Sequence, residues 1–267
     1  MKKILFFLLL APVLSGCVLK PLESQDHPAA NCDNIDRAVN VVYEDDDVIV
    51  VNKKAGVPAF YSDGKKGESV AELLRVRAGC GNLSAETQWF YRVDTLDRGA
   101  QGLILFAKNK KAQQFLLRQS RDGNIEKRYF AVVEGIVAKD GGVINAPVDK
   151  DPADKSGRKM KTVKKGTGQD AATGYTVVRR LKNATYLDVS ERTRRRHQVR
   201  AHLASVGHPV FGDAMYGATF SGGFSDGLAM QAYFLRFKRP FSNEILELQL
   251  TPADRLAQAV DFAQSRP

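Results

Sequence analysis

The alternation of apolar and polar positions that marks a folded chain begins at Val39. The stretch VNVVYEDDDVIVVNKKAG (39–56) sets two β-rich runs around an acidic turn, the pattern of a hairpin. SVAELLRVRAG (69–79) changes to helical spacing. LILFAKN (103–109) is a continuous apolar run of strand length, which predicts a buried strand. KKAQQFLLRQSRDGN (110–124) is amphipathic at helical period and stops at Gly123, and EKRYFAVVEGIV (126–137) returns to strand. The stretch from about Asn145 to Ala171 is rich in Lys, Gly and Asp and reads as a long basic loop. TGYTVVRRL and ATYLDVSE pair as a hairpin around Lys182-Asn183, and HQVRAHLASVG (197–207) is a helix capped by Gly207. AMQAYFLRFKRP and EILELQL add two strands, and PADRLAQAVDFAQ closes the chain as a helix with Pro252 near its start. Strands dominate and hairpins connect them. The expectation is an α+β fold: a mixed, largely antiparallel sheet with flanking helices around one core, with no internal repeat.

Ahead of this domain the pattern is different. MKKILFFLLLAPVLSGC (1–17) has a Lys2–Lys3 start, an apolar run from Ile4 to Leu14, and small residues before Cys17. The run is too short to span a bilayer as a mature helix and has the anatomy of an export signal. Leu14-Ser15-Gly16-Cys17 resembles a bacterial lipoprotein lipobox, in which the cysteine thiol takes the lipid and becomes the new N-terminus. Residues 18–38 are polar, hold two prolines and lack periodicity, so they read as a tether to a domain at 39–267. With Cys17 consumed, Cys32 and Cys80 remain, either as a disulfide or as two free thiols.

Charge sharpens the picture. Lys and Arg number 40 against 30 Asp and Glu, a formal net charge of +10. Much of the excess is clustered, in RKMKTVKK (158–165), RR (179–180) and RTRRRHQVR (192–200), and clustering points to a polyanionic partner more than to solubility alone.

The candidate chemistry lies at DTLDRGAQGL (94–103), where two aspartates, an arginine and two glycines crowd the start of an apolar strand. Carboxylates are rarely buried unless paired, so Asp97 either caps a turn or is held near the core to react. Two further segments go with it. YRVDTLDRGAQGLILFAKN resembles the first signature of the RluA-type RNA pseudouridine synthases, VHRLDRDTSGLLLFAK. EKRYFAVVEG and RRRHQVRAHLASVGHPVFGDAMYG resemble that family's second and third blocks, and YEDDDVIVVNKKAG and LAMQAYFLRFKRP add weaker echoes. All five occur in family order between about Val39 and Pro252.

Anchoring on Gly102-Leu103 puts Asp97, and not Asp94, in the place of the family's catalytic aspartate. Asp94 then stands where the family has histidine, Thr95 where it has arginine, and Ala100-Gln101 replace Thr-Ser. The family's arginine is expected to help hold the helix open around a flipped nucleotide. Its loss therefore bears on RNA handling more than on bond chemistry.

The resemblance implies a pseudouridine-synthase fold with a central catalytic cleft, no added RNA-binding module, and the isomerisation of uridine to pseudouridine in RNA. Asp97 would act at the sugar, Arg200 would be its cationic partner, and Tyr129 would stack on the uracil and handle a proton. Arg195, Arg196, His197, Gln198 and Met230 would contact the substrate. Such chemistry breaks the N1–C1′ bond and remakes it through C5. It needs an ionised carboxylate in a sheltered site, which a neighbouring cation sustains, and it requires no cofactor. No metal is expected either: His197 and His202, five apart on a helix, lie roughly 140° apart around its axis. RNA, ribosomal or transfer, is the implied partner of a monomeric enzyme, with a membrane reached through lipidated Cys17. The leader implies the cell envelope, in tension with RNA modification. Three resolutions follow from that tension: an unused leader on a cytoplasmic enzyme; an exported, inactive relative that binds another polyanion; or, last, an exported enzyme that modifies extracellular RNA.

Overall fold

The computed structural model describes residues 39–60, 69–80, 90–220, 227–242 and 244–265, with the backbone alone at 39 and 79–80. The leader, the tether, Cys17 and Cys32 lie outside the described residues, as does the side chain of Cys80. All that is described falls within one unit, 31–267.

In chain order the elements are β1 (Val39–Glu44), β2 (Val48–Lys53), α1 (Val70–Cys80), β3 (Tyr91–Arg92), β4 (Gln101–Ala107), α2 (Lys110–Arg121), β5 (Glu126–Glu134), β6 (Gly141–Asn145), β7 (Val148–Lys150), β8 (Met160–Thr162), β9 (Ala172–Arg180), β10 (Ala184–Glu191), α3 (Gln198–Ser205), a short 3₁₀ helix (Ala214–Tyr216), β11 (Met230–Lys238), β12 (Ile245–Gln249) and α4 (Asp254–Ser265). Ten strands form one sheet in the order β1-β2-β4-β11-β5-β10-β9-β6, with β12 against β11 and β3 against β4. Every pairing is antiparallel except β4 with β11. The expected α+β class and mixed, mostly antiparallel sheet are therefore present.

The strand assignments follow from burial. β4 is buried along almost its whole length because both faces are covered, which is why its sequence is continuous rather than alternating. Period-two alternation divides its side chains: Ile104 and Phe106 join the core beneath α1 and α3, while Leu103 and Leu105 join Leu116 of α2. The same alternation in β5 places Ala131 and Val133 on the α1/α3 side and Val132 against Leu256 and Val260 of α4. Tyr129 shares the face of Ala131 and Val133. Helix α2 begins at Asn109, whose side chain accepts the Ala112 N–H at 2.8 Å, and the chain turns after it at Gly123 with φ +72°.

The parallel β4–β11 contact lies at the sheet centre and is short, pairing Gln101 with Gln231 and Gly102 with Ala232. Gly102 has φ +112°, and a Cβ there would fall 2.2 Å from the Ala232 carbonyl oxygen. Only glycine permits the two strands to meet there, directly after the loop that carries Asp94 and Asp97.

One expectation is corrected. The basic stretch 145–171 is not a structureless loop: β7 and β8 form a second, two-stranded sheet within it, and Met160 packs with Ala201 of α3 and Tyr216. Its apolar positions are too sparse to show a period, and they become legible only through that packing. The short strands β3 and β6 were not apparent either.

Candidate active site

The loop before β4 carries Asp97, and α3 carries Arg200. They are 103 positions apart in sequence, and the Arg200 Nη1–H donates to Asp97 Oδ2 at 3.1 Å. The other edge of the guanidinium is held by Asp213, which accepts from Nε and Nη2 at 2.7 Å each. This bidentate fork orients Arg200 so that its remaining corner meets Asp97. Asp213 is 1% exposed and Arg200 7%. Burial alone would lower the Arg200 pKa, but the two carboxylates outweigh it and the pKa is raised, so the guanidinium is a permanent charge. Its carbon also lies 4.9 Å from the centre of the Tyr216 ring, whose hydroxyl accepts the Met160 N–H at 2.9 Å. Asp213 was not among the candidate residues, although it lies within the quoted GHPVFGDAMYG block. A spacing of 13 from Arg200 across a turn has no helical or strand period to reveal it.

The other oxygen of Asp97, Oδ1, lies 3.9 Å from His197 Nε2, beyond hydrogen-bond reach. His197 sits at φ +53°, a left-handed conformation rare for a residue with a Cβ. That geometry brings its Nδ1 within 3.2 Å of the Tyr216 hydroxyl. Burial lowers the His197 pKa, with Asp97 opposing, which favours a neutral ring. His202 points elsewhere, its two nitrogens 2.8 Å from the Thr173 hydroxyl and the Ala146 carbonyl. Among the described residues no group of three or more His, Cys, Asp or Glu is placed to hold a metal ion.

Tyr129 lies on β5, 2% exposed, and donates its hydroxyl proton to Glu191 Oε2 at 2.8 Å. Burial, reinforced by the charges of Glu191 and Asp94, raises the Tyr129 pKa well above its ordinary value. Burial also pushes the Glu191 carboxyl up to about 7, although Arg194 and Lys127 pull it down.

The two aspartates of DTLDRGAQGL have separate tasks. Asp94 is 5% exposed, ion-paired with the fully buried Lys127 ammonium of β5, and 3.7 Å from Arg194 Nη1. It is an internal counter-ion, while Asp97 keeps an oxygen facing the site. Arg194 is thereby drawn inward, with Nη2–H donating to the Ile125 carbonyl at 3.1 Å, and leaves the exposed basic surface that sequence placed it on.

Two other assignments change character. Gln198 is 1% exposed, accepts from the Thr193 hydroxyl and the Arg195 N–H, and donates to Ala172 and Thr173. These bonds hold the loop before α3 in shape. Met230 is 3% exposed and packs in the same core cluster as Tyr129. Arg195 and Arg196 are exposed, Arg195 anchored through Nε–H to the Asp170 carbonyl at 3.0 Å.

Lys53, at the end of β2, is a residue that sequence reading passed over. It is 1% exposed, and its Nζ lies 2.6 to 3.1 Å from the carbonyls of Lys54, Val57, Arg98 and Ala100, pinning the Asp97 loop from beneath. Burial presses its pKa down to about 7, opposed by the charge of Asp97. Four acceptors around one amine still call for an ammonium with all three donors in use.

The arrangement is a sheltered carboxylate hydrogen-bonded to a fixed arginine, with a buried tyrosine on strand β5. A cavity of about 360 Å³ between β6, β9 and α3 lies among Val143, Tyr175, Leu203 and Val206 and is separate from this set.

Comparison with known proteins gives the family. A model described as RNA pseudouridylate synthase matches residues 47–205. A second, for a prokaryotic membrane lipoprotein lipid attachment site, matches residues 1–17. An uncharacterized RNA pseudouridine synthase of Aquifex aeolicus (strain VF5) is 33% identical over 79% of this chain and 69% of its own. A ribosomal large subunit pseudouridine synthase D of Xanthomonas campestris pv. campestris is 32% identical over 84% of this chain and 67% of its own. In fold, human RNA Pseudouridylate Synthase Domain Containing 4 superposes with a TM-score of 0.69 at 18% identity, covering 88% of this chain and 96% of that one. The matched span holds Asp97, Tyr129 and Arg200 on their three separate segments, and the chain belongs to the RNA pseudouridylate synthase family.

Proposed function

We propose that this chain isomerises uridine to pseudouridine in RNA with Asp97 as the group that acts on the sugar. The observation that carries the assignment is the Asp213–Arg200–Asp97 chain of charge-assisted bonds. It fixes Asp97 against a permanent cation in a sheltered place, with Oδ1 beyond hydrogen-bond reach of His197 and able to meet C1′ as nucleophile or a ribose proton as base. Once the N1–C1′ bond is broken, the uracil turns and rebonds through C5. Tyr129 supports that base and serves the proton transfer that follows. Arg200 offsets charge on Asp97 at each stage without moving, because Asp213 fixes it.

The RNA path follows the basic surface. Lys161, Lys164 and Lys165 in and after β8, with Arg195 and Arg196, are exposed around the hairpin that packs on α3 and Tyr216. Phosphate contacts from such residues supply affinity, and the choice of uridine rests on the RNA's shape. The Xanthomonas relative is named for the large ribosomal subunit, so ribosomal RNA is the first class to test and transfer RNA the second. Changing Arg195 and Arg196 to Ala should weaken binding to bulk RNA and lower the slope of log affinity against log salt by about 1 to 2. Filter binding across a salt series checks this, and an unchanged slope would return the two residues to plain solvated surface.

The match of the leader to a lipoprotein lipid attachment site supports a membrane address for this enzyme. Cleavage before Cys17 and acylation of its thiol would tether the domain through residues 18–38, held by acyl chains rather than a spanning helix. Among the described residues no helix is long and apolar enough to cross a bilayer. Val18 stands where an inner-membrane retention aspartate would be, which favours the outer membrane in a cell that has one. Cells fed a labelled fatty acid should incorporate it into the wild-type chain and not into Cys17→Ser. Unlabelled, full-length protein in the soluble fraction would reject the anchor and leave a cytoplasmic enzyme.

A further inference from the structure

We infer that Glu191 is the proton acceptor behind Tyr129, a positioning residue through which the tyrosine hydroxyl can take a proton from C5 of the rebonded uracil. This deepens the proposed function and rests on it.

The inference starts from a difficulty. A tyrosine that is to accept a proton must either be a phenoxide already or give up its own proton in the same event. Tyr129 is 2% exposed and lies near two acidic side chains, surroundings that disfavour a phenoxide. Its hydroxyl proton is already committed, over 2.8 Å, to Glu191 Oε2. The oxygen therefore presents lone pairs to everything except Glu191, and the route for its proton is already drawn.

The surrounding charges make Glu191 the member that can change state. Lys127 and Tyr129 face this cluster from β5, Asp94 from the loop before β4, and Arg194 from the loop after β10. The Lys127 ammonium lies 5.6 Å from the centre of the Tyr129 ring. Asp94 has the ion pair with Lys127 and the nearby Arg194, so its charge is matched whatever Glu191 does. Burial against these cations leaves the Glu191 carboxyl titrating at about 7, where it can be ionised and still accept. Glu191 stands at the end of β10 and is partly exposed as a whole residue, while its carboxyl is buried.

The step balances as follows. The C5–H bond breaks and its electron pair closes the C5–C6 double bond. The C6–N1 π pair moves onto N1, which takes a proton from water. The C5 proton passes to Tyr129 Oη, and the proton Tyr129 held passes to Glu191 Oε2. Release from Glu191 to solvent and return of the hydroxyl proton to its starting place restore the enzyme. No oxidant, metal or cofactor enters.

The test uses the full chain and bulk RNA carrying tritium at C5 of uridine, with released tritium counted from pH 5.5 to 8.5. The wild-type rate should rise with pH and level off above about 7, because only the ionised carboxylate accepts. Glu191→Gln keeps an acceptor for the Tyr129 hydroxyl but cannot take the proton. It should release tritium on the order of 10² to 10⁴-fold more slowly, lose that rise, and discriminate more strongly against tritium as C5–H loss becomes limiting. Glu191→Asp should recover part of the rate together with the rise. A wild-type profile that is flat across this range overturns the inference, as does Glu191→Gln with the wild-type rate and profile. Asp97→Asn separates the two readings. If it is inactive while Glu191→Gln matches wild type, only the relay fails; if it still releases tritium, or the wild type releases none, the parent assignment fails and takes the relay with it.

Discussion

Asp97→Asn should abolish pseudouridine formation, by on the order of 10⁴-fold or more, while the protein folds and binds RNA as before. The substitution keeps the shape and the hydrogen bond to Arg200 Nη1 and removes only the charge and nucleophilicity. Arg200 does not become an uncompensated buried cation, because Asp213 still holds it with two bonds of 2.7 Å. The competing aspartate predicts the opposite phenotype. Asp94→Asn leaves Lys127, which is fully buried, without its counter-ion, and should be expressed as a protein destabilised by about 3–5 kcal/mol. Nucleoside analysis of treated RNA, with thermal unfolding of each variant, reads both effects. Full activity in Asp97→Asn with selective loss in a well-folded Asp94→Asn would move the chemistry three residues upstream.

Arg200→Met should have the second large effect, and on stability as well as rate. It leaves Asp213, 1% exposed, with no cation and removes the partner of Asp97, which should cost about 3–5 kcal/mol. Arg200→Lys keeps the charge, but a point ammonium cannot span a bidentate carboxylate and a second one together, so stability should return further than activity. The double variant Arg200→Met with Asp213→Leu should recover most of the stability and none of the activity, since it removes the stranded charge without replacing the site. Urea unfolding and isomerisation assays on the three proteins separate these contributions. An Arg200→Met protein as stable as wild type would show that Asp213 is satisfied by another group.

A second consequence concerns the position where the family signature has arginine and this chain has Thr95. Near it the structure draws Lys127, Asp94 and Arg194 together, with the Lys127 ammonium 5.6 Å from the centre of the Tyr129 ring. The two departures in the motif, Asp94 and Thr95, thus meet an inward-turned arginine contributed by the segment after β10. This charge cluster is separate from the Asp97–Arg200 contact.

What the sequence determined by itself is what local periodicity can encode. The hairpins β1–β2 and β9–β10, the buried strand β4, the amphipathic α2 with its stop at Gly123, and the closing helix α4 all stand where the apolar pattern placed them. The register of DTLDRGAQGL against that strand, aligned with the family signature, singles out Asp97 over Asp94 as the candidate. The tertiary structure alone decided what each charged side chain does. Asp94 meets Lys127 across 33 positions, Tyr129 meets Glu191 across 62, and Asp97 meets Arg200 across 103. Such partners are chosen by the β5–β10 pairing and by where the loops before β4 and α3 close over the sheet, and no local period records either. For the same reason Lys53 and Gln198, polar residues that sequence would put at the surface or on a ligand, are buried. Their donors and acceptors are met by backbone groups that only the folded chain brings within reach.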